Sequence, residues 1–488
     1  MEFRATRPPT ASHKTGAFVL FRAEQSRDLG RLPVPDTVLR KLAAAAWKAK
    51  EFTGKRGQVV ALHGGAGGRR LLLVGLGPRK GVDGEALREG AGNAALDLDG
   101  RGVSSATFLV PALGDAVDLA GACVEGAGLA LYRFDRLKSK APKPALGRVT
   151  VAPERGTAPS VTAPVKRAAA VMEGVRFARD LGNLPGNIAT PVYLAREART
   201  LSGRGVSVRV HDRAAIKRMR MGAFAAVAQG SHNEPRLIEI TYRCGKRGAE
   251  TIGLVGKGVT FDTGGISIKP AALMEEMKFD MCGGAAVLGA VHALRALQLP
   301  VNVHALVPAS DNMPDGKAYR PGDIIKARNG TTIEVISTDA EGRLLLCDSL
   351  VYSADKKPDC IINLATLTGA IVVALGDSAA GLFSNDDALL EELEEAGRET
   401  GERLWPMPIL PGHDEAIKSP YSDLRNSGGR WGGACTAAAF LQNFVGDTPW
   451  AHLDIAGTAW NDRPRSYLRK GATGFGVRLL VEFLARRA

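Results

Sequence analysis

The chain has 488 residues, of which 45% are hydrophobic and 24% charged, with a net charge of +13. That length exceeds one ordinary domain and the composition is that of a soluble globular protein, so two domains are expected, with three as the alternative. No stretch approaches the roughly 20 apolar residues of a membrane span. Met1-Glu2-Phe3-Arg4 and the residues after it lack the apolar segment of a secretory signal, so a cytoplasmic location is expected.

Lys and Arg are spread along the chain with no run of five or more, which reads as a generally basic surface. Attraction to DNA is the alternative reading of the same charge. The six cysteines are scattered without a CxxC pair, against both a cysteine zinc site and a disulfide framework.

In chain order, residues 16–21 predict a strand and residues 70–77 a buried strand closing in a glycine turn. A helix is expected over Glu85–Leu98, and Gly64 to Gly68 reads as a flexible loop. The stretch 141–163, rich in Pro, Thr, Ser and Gly, predicts a domain end with an edge strand over 147–151. The expected division is therefore a smaller α/β domain over 1–163 and a catalytic α/β domain over 164–488 with a mostly parallel central sheet.

In the second part, a helix is expected over 165–181, followed by one begun by Thr190-Pro191. Strands follow at 206–210, 237–242, 251–258, 302–307 and 360–364. Helices are expected over 283–297, 342–354 and 389–400, and Asn329-Gly330 predicts a hairpin over 324–335.

Chemistry concentrates in Ser337-Thr338-Asp339-Ala340-Glu341-Gly342-Arg343-Leu344. If extended, this segment carries Asp339, Glu341 and Arg343 on one side. Two close carboxylates repel and need a proton or a cation between them. About 60 to 80 residues upstream stand Lys257, Asp262, Lys269 and Asp280, two of them beside glycines at the end of a strand, where α/β sheets bind ligands. Any one carboxylate alone reads as a helix cap; all four together read as a site for two divalent metals. Oxygen ligands favour Mg²⁺ or Mn²⁺ without excluding Zn²⁺. Gly256-Lys257-Gly258 lacks the spacing and the Ser/Thr of a phosphate-binding loop.

The segment 338–344, together with 255–265, 277–281, 363–370 and 452–458, resembles the leucyl aminopeptidase family. The likeness is dense from about residue 180 onward and looser before it. The resemblance implies Asp262 and Glu341 as bridging metal ligands, Lys257 and Asp280 completing one metal site, and Asp339 the other. It implies Lys269 beside the reacting carbonyl oxygen and Arg343 holding a bicarbonate ion as general base. Met277, Thr366, Gly369, Ala456 and Ala459 are implied around an apolar pocket suited to a Leu or Met side chain. The resemblance further implies peptide substrates, two metals of the Mn²⁺ or Zn²⁺ kind, a homohexamer and, from some bacterial relatives, an added DNA-binding role. Ser337 and Cys282 depart from the residues usual in the family, and neither is a ligand position.

Overall fold

A computed structural model describes residues 1–10, 12–26, 32–111, 116–141, 143–155 and 159–488. The chain divides into two units: Met1–Met172 with Arg463–Lys470, and Glu173–Asp462 with Gly471–Ala488.

The first unit holds β1 (Glu2–Ala5), β2 (Ala17–Arg22), α1 (Thr37–Lys48), β3 (Val59–His63), β4 (Arg70–Gly75), α2 (Gly84–Gly100), β5 (Ser105–Val110), α3 (Ala116–Leu131) and β6 (Arg148–Pro153). The helix α4 (Pro159–Asn183) contributes residues to both units. The sheet runs β1-β6-β5-β2-β4-β3, with only β3 antiparallel to its neighbour. Fully buried β2 lies inside it, as its unbroken apolar run requires. Phe18, Leu20, Phe52 and Leu71 pack one of its cores.

Two expectations fail here. The strand expected at an edge over 147–151 is β6, which lies between β1 and β5. Its Pro153 is tolerated because its nitrogen faces β1, which ends at Ala5 opposite Val151, so no ladder bond is lost. The true edge is β1, too short to stand out by periodicity. The helix expected from 165 begins at Pro159.

The second unit contains α5 (Pro191–Arg199), β7 (Val206–His211), α6 (Arg213–Arg218), α7 (Gly222–Val227), β8 (Arg236–Tyr242), β9 (Thr251–Gly256), β10 (Gly258–Asp262), α8 (Cys282–Leu297) and β11 (Asn302–Asn312). It continues with β12 (Ile324–Lys326), β13 (Thr332–Glu334), α9 (Gly342–Ala354), β14 (Cys360–Ala365), α10 (Gly369–Leu375), β15 (Ala380–Ser384), α11 (Asp387–Thr400) and β16 (Leu404–Pro406). Last come α12 (Pro411–Ala416), β17 (Leu424–Arg425), α13 (Gly433–Gln442), β18 (Trp450–Asp454), β19 (Trp460–Asn461), β20 (Gly471–Ala472) and α14 (Val477–Arg486). Thr190 caps α5 by accepting the Tyr193 N–H, and the Asn329-Gly330 hairpin forms with Ile324 opposite Glu334.

The main sheet runs β16-β15-β18-β14-β9-β11-β8-β7, with β10 also paired to β11. Its centre, β18-β14-β9-β11, is parallel, while β15, β8 and β7 make antiparallel pairs, so the sheet is mixed. Val255, Leu306, Leu345, Ile361, Phe440 and Trp450 are fully buried in its core. The single strand and turn expected over 251–258 are two strands, β9 and β10, meeting at Lys257. Glycines allow this joint: a Cβ on Gly256 would stand 2.5 Å from the Gly283 carbonyl oxygen. All six cysteines are free and five are buried.

Candidate metal centre

The parallel strands deliver one residue each to the same end of the sheet. Lys257 follows β9, Asp262 ends β10, Asn312 ends β11, Thr366 follows β14 and Asp454 ends β18. Carboxyl ends of such strands are the ligand-binding side of α/β sheets. Two helix starts face them, with Asp280 just before α8 and Glu341 just before α9. Neither carboxylate caps its helix, so the capping explanation fails for both.

Two lysines organise the cluster. Lys257 Nζ lies 2.9 Å from Asp280 Oδ1 and 2.7 Å from Glu341 Oε1, and donates to the Thr366 carbonyl at 2.9 Å. Lys269 Nζ lies 2.8 Å from Asp262 Oδ2 and 2.6 Å from Asp339 Oδ1. Lys257, Asp262, Asp280 and Glu341 are buried; Lys269 and Asp339 lie on the open side. Oxygens of Asp262, Asp280 and Glu341 all lie within 4.8 Å of one another.

Four carboxylates face two ammonium groups, a net formal charge of −2. Burial raises the Asp280, Glu341 and Asp339 carboxyls, and the Asp262 charge raises all three further. Burial pushes Lys257 and Lys269 down, but the surrounding carboxylates outweigh it and hold both ammoniums above the usual lysine range. Both directions express one fact: the cluster carries excess negative charge and takes up protons or cations. Asp280 Oδ2 and Glu341 Oε2 are buried without a hydrogen-bond partner. Orphaned buried carboxylate oxygens are costly, and a divalent cation is the group whose chemistry suits them.

The segment 337–343 is not extended. Thr338 and Asp339 form a turn, Glu341 is already helical in backbone (φ −74°, ψ −37°), and Arg343 belongs to the first turn of α9. A two-residue step on a helix points side chains apart. Glu341 therefore meets Lys257, while buried Arg343 donates through Nη1 to the Asn426 carbonyl at 2.7 Å and leaves Nε without a partner. Burial lowers the Arg343 guanidinium to about 10.

Of the residues implied around a side-chain pocket, Met277 is half-buried in the 3-10 helix Met274–Phe279 and Thr366 is buried. Gly369 opens α10 and is exposed; Ala456 is half-buried and Ala459 buried beyond β18. Asp454 ties their segments together, its Oδ1 accepting from the N–H groups of Leu367 (3.1 Å), Thr368 (3.4 Å) and Ala456 (3.2 Å). Asp280 links the other two, donating its N–H to the Met277 carbonyl (3.3 Å) and accepting the Thr366 hydroxyl at Oδ1 (2.7 Å).

Asn312 was not marked by any motif. It is fully buried and donates through Nδ2 to Asp262 Oδ1 (2.8 Å) and to the Thr338 carbonyl (2.9 Å), joining both halves of the centre. Asn426 similarly frames the second half, its Oδ1 accepting the Ile336 N–H at 2.7 Å and its Nδ2 donating to the Ser337 carbonyl at 2.6 Å. Neither has a local sequence signal, since each acts on residues 26 to 90 positions away.

Fold and site together define a two-domain α/β protein with a buried, carboxylate-rich centre. The profile described as "Cytosol aminopeptidase family, catalytic domain" matches residues 176–481, and its N-terminal-domain counterpart matches 19–141. A "Probable cytosol aminopeptidase" of Syntrophotalea carbinolica is 45% identical over 486 residues, covering 98% of each chain. Among solved structures, a "Bottromycin maturation enzyme BotP in complex with Mn" is 35% identical with TM-score 0.86, covering 97% of this chain and 99% of that one. A mutant tomato leucine aminopeptidase is 35% identical with TM-score 0.88, covering 100% and 96%. The chain belongs to the cytosol aminopeptidase family, and is thus an aminopeptidase-class hydrolase with the two-domain α/β architecture of that family. No helix among the described residues is long and apolar enough to cross a membrane.

Proposed function

We propose that this protein removes N-terminal residues, preferentially Leu, from peptides in the cytoplasm, using two divalent metal ions of the Mn²⁺ or Zn²⁺ kind. The observation carrying this reading is the buried cluster of Asp262, Asp280 and Glu341, with two orphaned oxygens and an excess of negative charge. Asp262 and Glu341 would bridge the metals, Lys257 and Asp280 would complete one site, and Asp339 the other. Bound cations supply a polarised carbonyl and a water acidic enough to react near neutral pH.

The chain's own groups account for the rest. Lys269, on the open side and held charged, stands ready to meet negative charge developing on the substrate's carbonyl oxygen. Its two carboxylate partners fix its position before substrate arrives. Lys257 ligates only once neutral, which metal charge favours. Arg343, with its partnerless Nε, would hold a small oxyanion such as bicarbonate, which would supply a general base. Small residues Gly369, Ala456 and Ala459 with Met277 and Thr366 leave room for an aliphatic side chain. The family likeness also supports a homohexamer.

The test is leucine-anilide hydrolysis before and after exhaustive chelation, and after Mn²⁺ or Zn²⁺ is restored. Activity should vanish and return; undiminished turnover in metal-free protein would overturn the reading. Asp339→Asn should abolish turnover while leaving the thermal transition in place.

A further inference from the structure

The second unit carries a separate concave pocket of about 650 Å³, walled by α6, α7, the β12–β13 hairpin and the last turn of α9. Four cations line it, Lys217, Arg220, Lys326 and Arg328, against one carboxylate, Asp355. Arg328 is committed: its guanidinium pairs with Asp355 Oδ2 at 2.8 and 3.1 Å and also donates to the Met219 carbonyl. Lys217, Arg220 and Lys326 are exposed, and none has an ion-pair or side-chain hydrogen-bond partner among the described residues. Its apolar lining includes half-buried Ala225 and Val351.

The pocket walls are held in place. Buried Asp348, on α9, accepts the Phe224 N–H at Oδ2 (2.9 Å) and the Arg328 N–H at Oδ1 (2.7 Å), so one carboxylate ties both walls. Gly222 packs so closely on the hairpin that a Cβ would stand 2.2 Å from the Lys326 carbonyl oxygen. Arg220 is kept at φ +59°, a conformation disfavoured for any residue with a Cβ. Three unpaired cations are thus set around a preformed cavity of the size that takes small molecules.

We propose that this pocket binds a phosphate-bearing small molecule with an apolar moiety, of the class of a nucleoside diphosphate. A single carboxylate would leave two of the three free cations unmatched, whereas a diphosphate engages all three. Half-buried Ala225 and Val351 then meet a face of the aromatic base. The pocket lies outside the carboxylate centre but shares α9 with it, since Glu341 precedes that helix and Val351 lies near its end.

The probe is ADP, titrated calorimetrically into the full-length, metal-loaded protein, with pyrophosphate and adenosine in parallel. A variant carrying Lys217→Ala, Arg220→Gly and Lys326→Ala removes the charges, and glycine accepts the left-handed backbone without strain. Saturable ADP binding that weakens at least about tenfold in the variant, with peptide hydrolysis unchanged, is the expected result. Absence of saturable binding overturns the proposal. So does equal binding to both proteins, which would place the phosphates on the active-site metals, and so does adenosine binding as tightly as ADP. Should the triple variant fold poorly, Lys326→Glu alone must weaken ADP binding, and unchanged affinity overturns the proposal equally.

Discussion

Gly342 has no side chain because Lys257 occupies the space: a Cβ there would stand 2.7 Å from both Cε and Nζ of Lys257. The lysine cannot readily yield, since Asp280, Glu341 and the Thr366 carbonyl hold its ammonium. The glycine in the motif therefore serves a residue 85 positions earlier rather than the helix it begins.

Gly342→Ala should cost both activity and stability. Overpacking a buried, tightly held Lys257 should lower stability by about 1–3 kcal/mol, more than alanine's better helix propensity returns at the first position of α9. Displacing Lys257 should cost roughly 10²-fold in kcat/KM, the scale of a 1 Å misplacement at a reacting centre. Paired denaturation and leucine-anilide kinetics check this; a variant with native kcat/KM would show that Lys257 need not stand where it does.

Asn312→Ala removes the donor shared by Asp262 and the Thr338 carbonyl. Loss of a group orienting a metal ligand typically costs about 10- to 100-fold in metal affinity or activity. Leaving buried acceptors unmatched should also cost about 1–3 kcal/mol of stability. Equilibrium dialysis against Mn²⁺ and a urea melt report the two effects independently. Wild-type metal affinity in this variant would mean that Asp262 keeps its orientation without Asn312.

Stability should also depend on pH through Asp348, whose carboxyl burial raises to about 7. The folded value exceeds the unfolded reference of about 3.9, so the unfolded chain releases this proton first as pH rises. The contribution is then fully present below about pH 4 and is lost as pH climbs towards 7. Asp348→Asn cannot ionise but has only one acceptor for the Phe224 and Arg328 N–H groups. It should be less stable than wild type by about 1–3 kcal/mol at pH 4, with the gap narrowing by pH 8. Urea midpoints of both proteins from pH 4 to 8 measure this; a constant gap would show that Asp348 stays ionised throughout.

Much of this was legible without coordinates. The mostly apolar segment 360–364, broken only by Asn363, marks a buried strand, and Gly342–Ala354 is helical over the expected residues. The clustering of Asp262, Asp280, Asp339 and Glu341 was legible as chemistry, since so many acids near glycines and strand ends have few bland explanations. The placement of β6 inside its sheet was not legible, because edge and interior depend on the pairing of β1 from the far end of the unit. Nor was the divergence of Glu341 and Arg343, which follows from the helix starting at once rather than from the motif's spacing.

Sequence by itself determined the residue types and their local conformations, and so the kind of chemistry this protein carries. Only the tertiary structure decided the pairings: Lys257 with Asp280 and Glu341, Lys269 with Asp262 and Asp339, and Asn312 across both halves. Hydrogen bonds and ion pairs act over about 3 Å, and residues tens of positions apart reach that range only when strands and helices have packed.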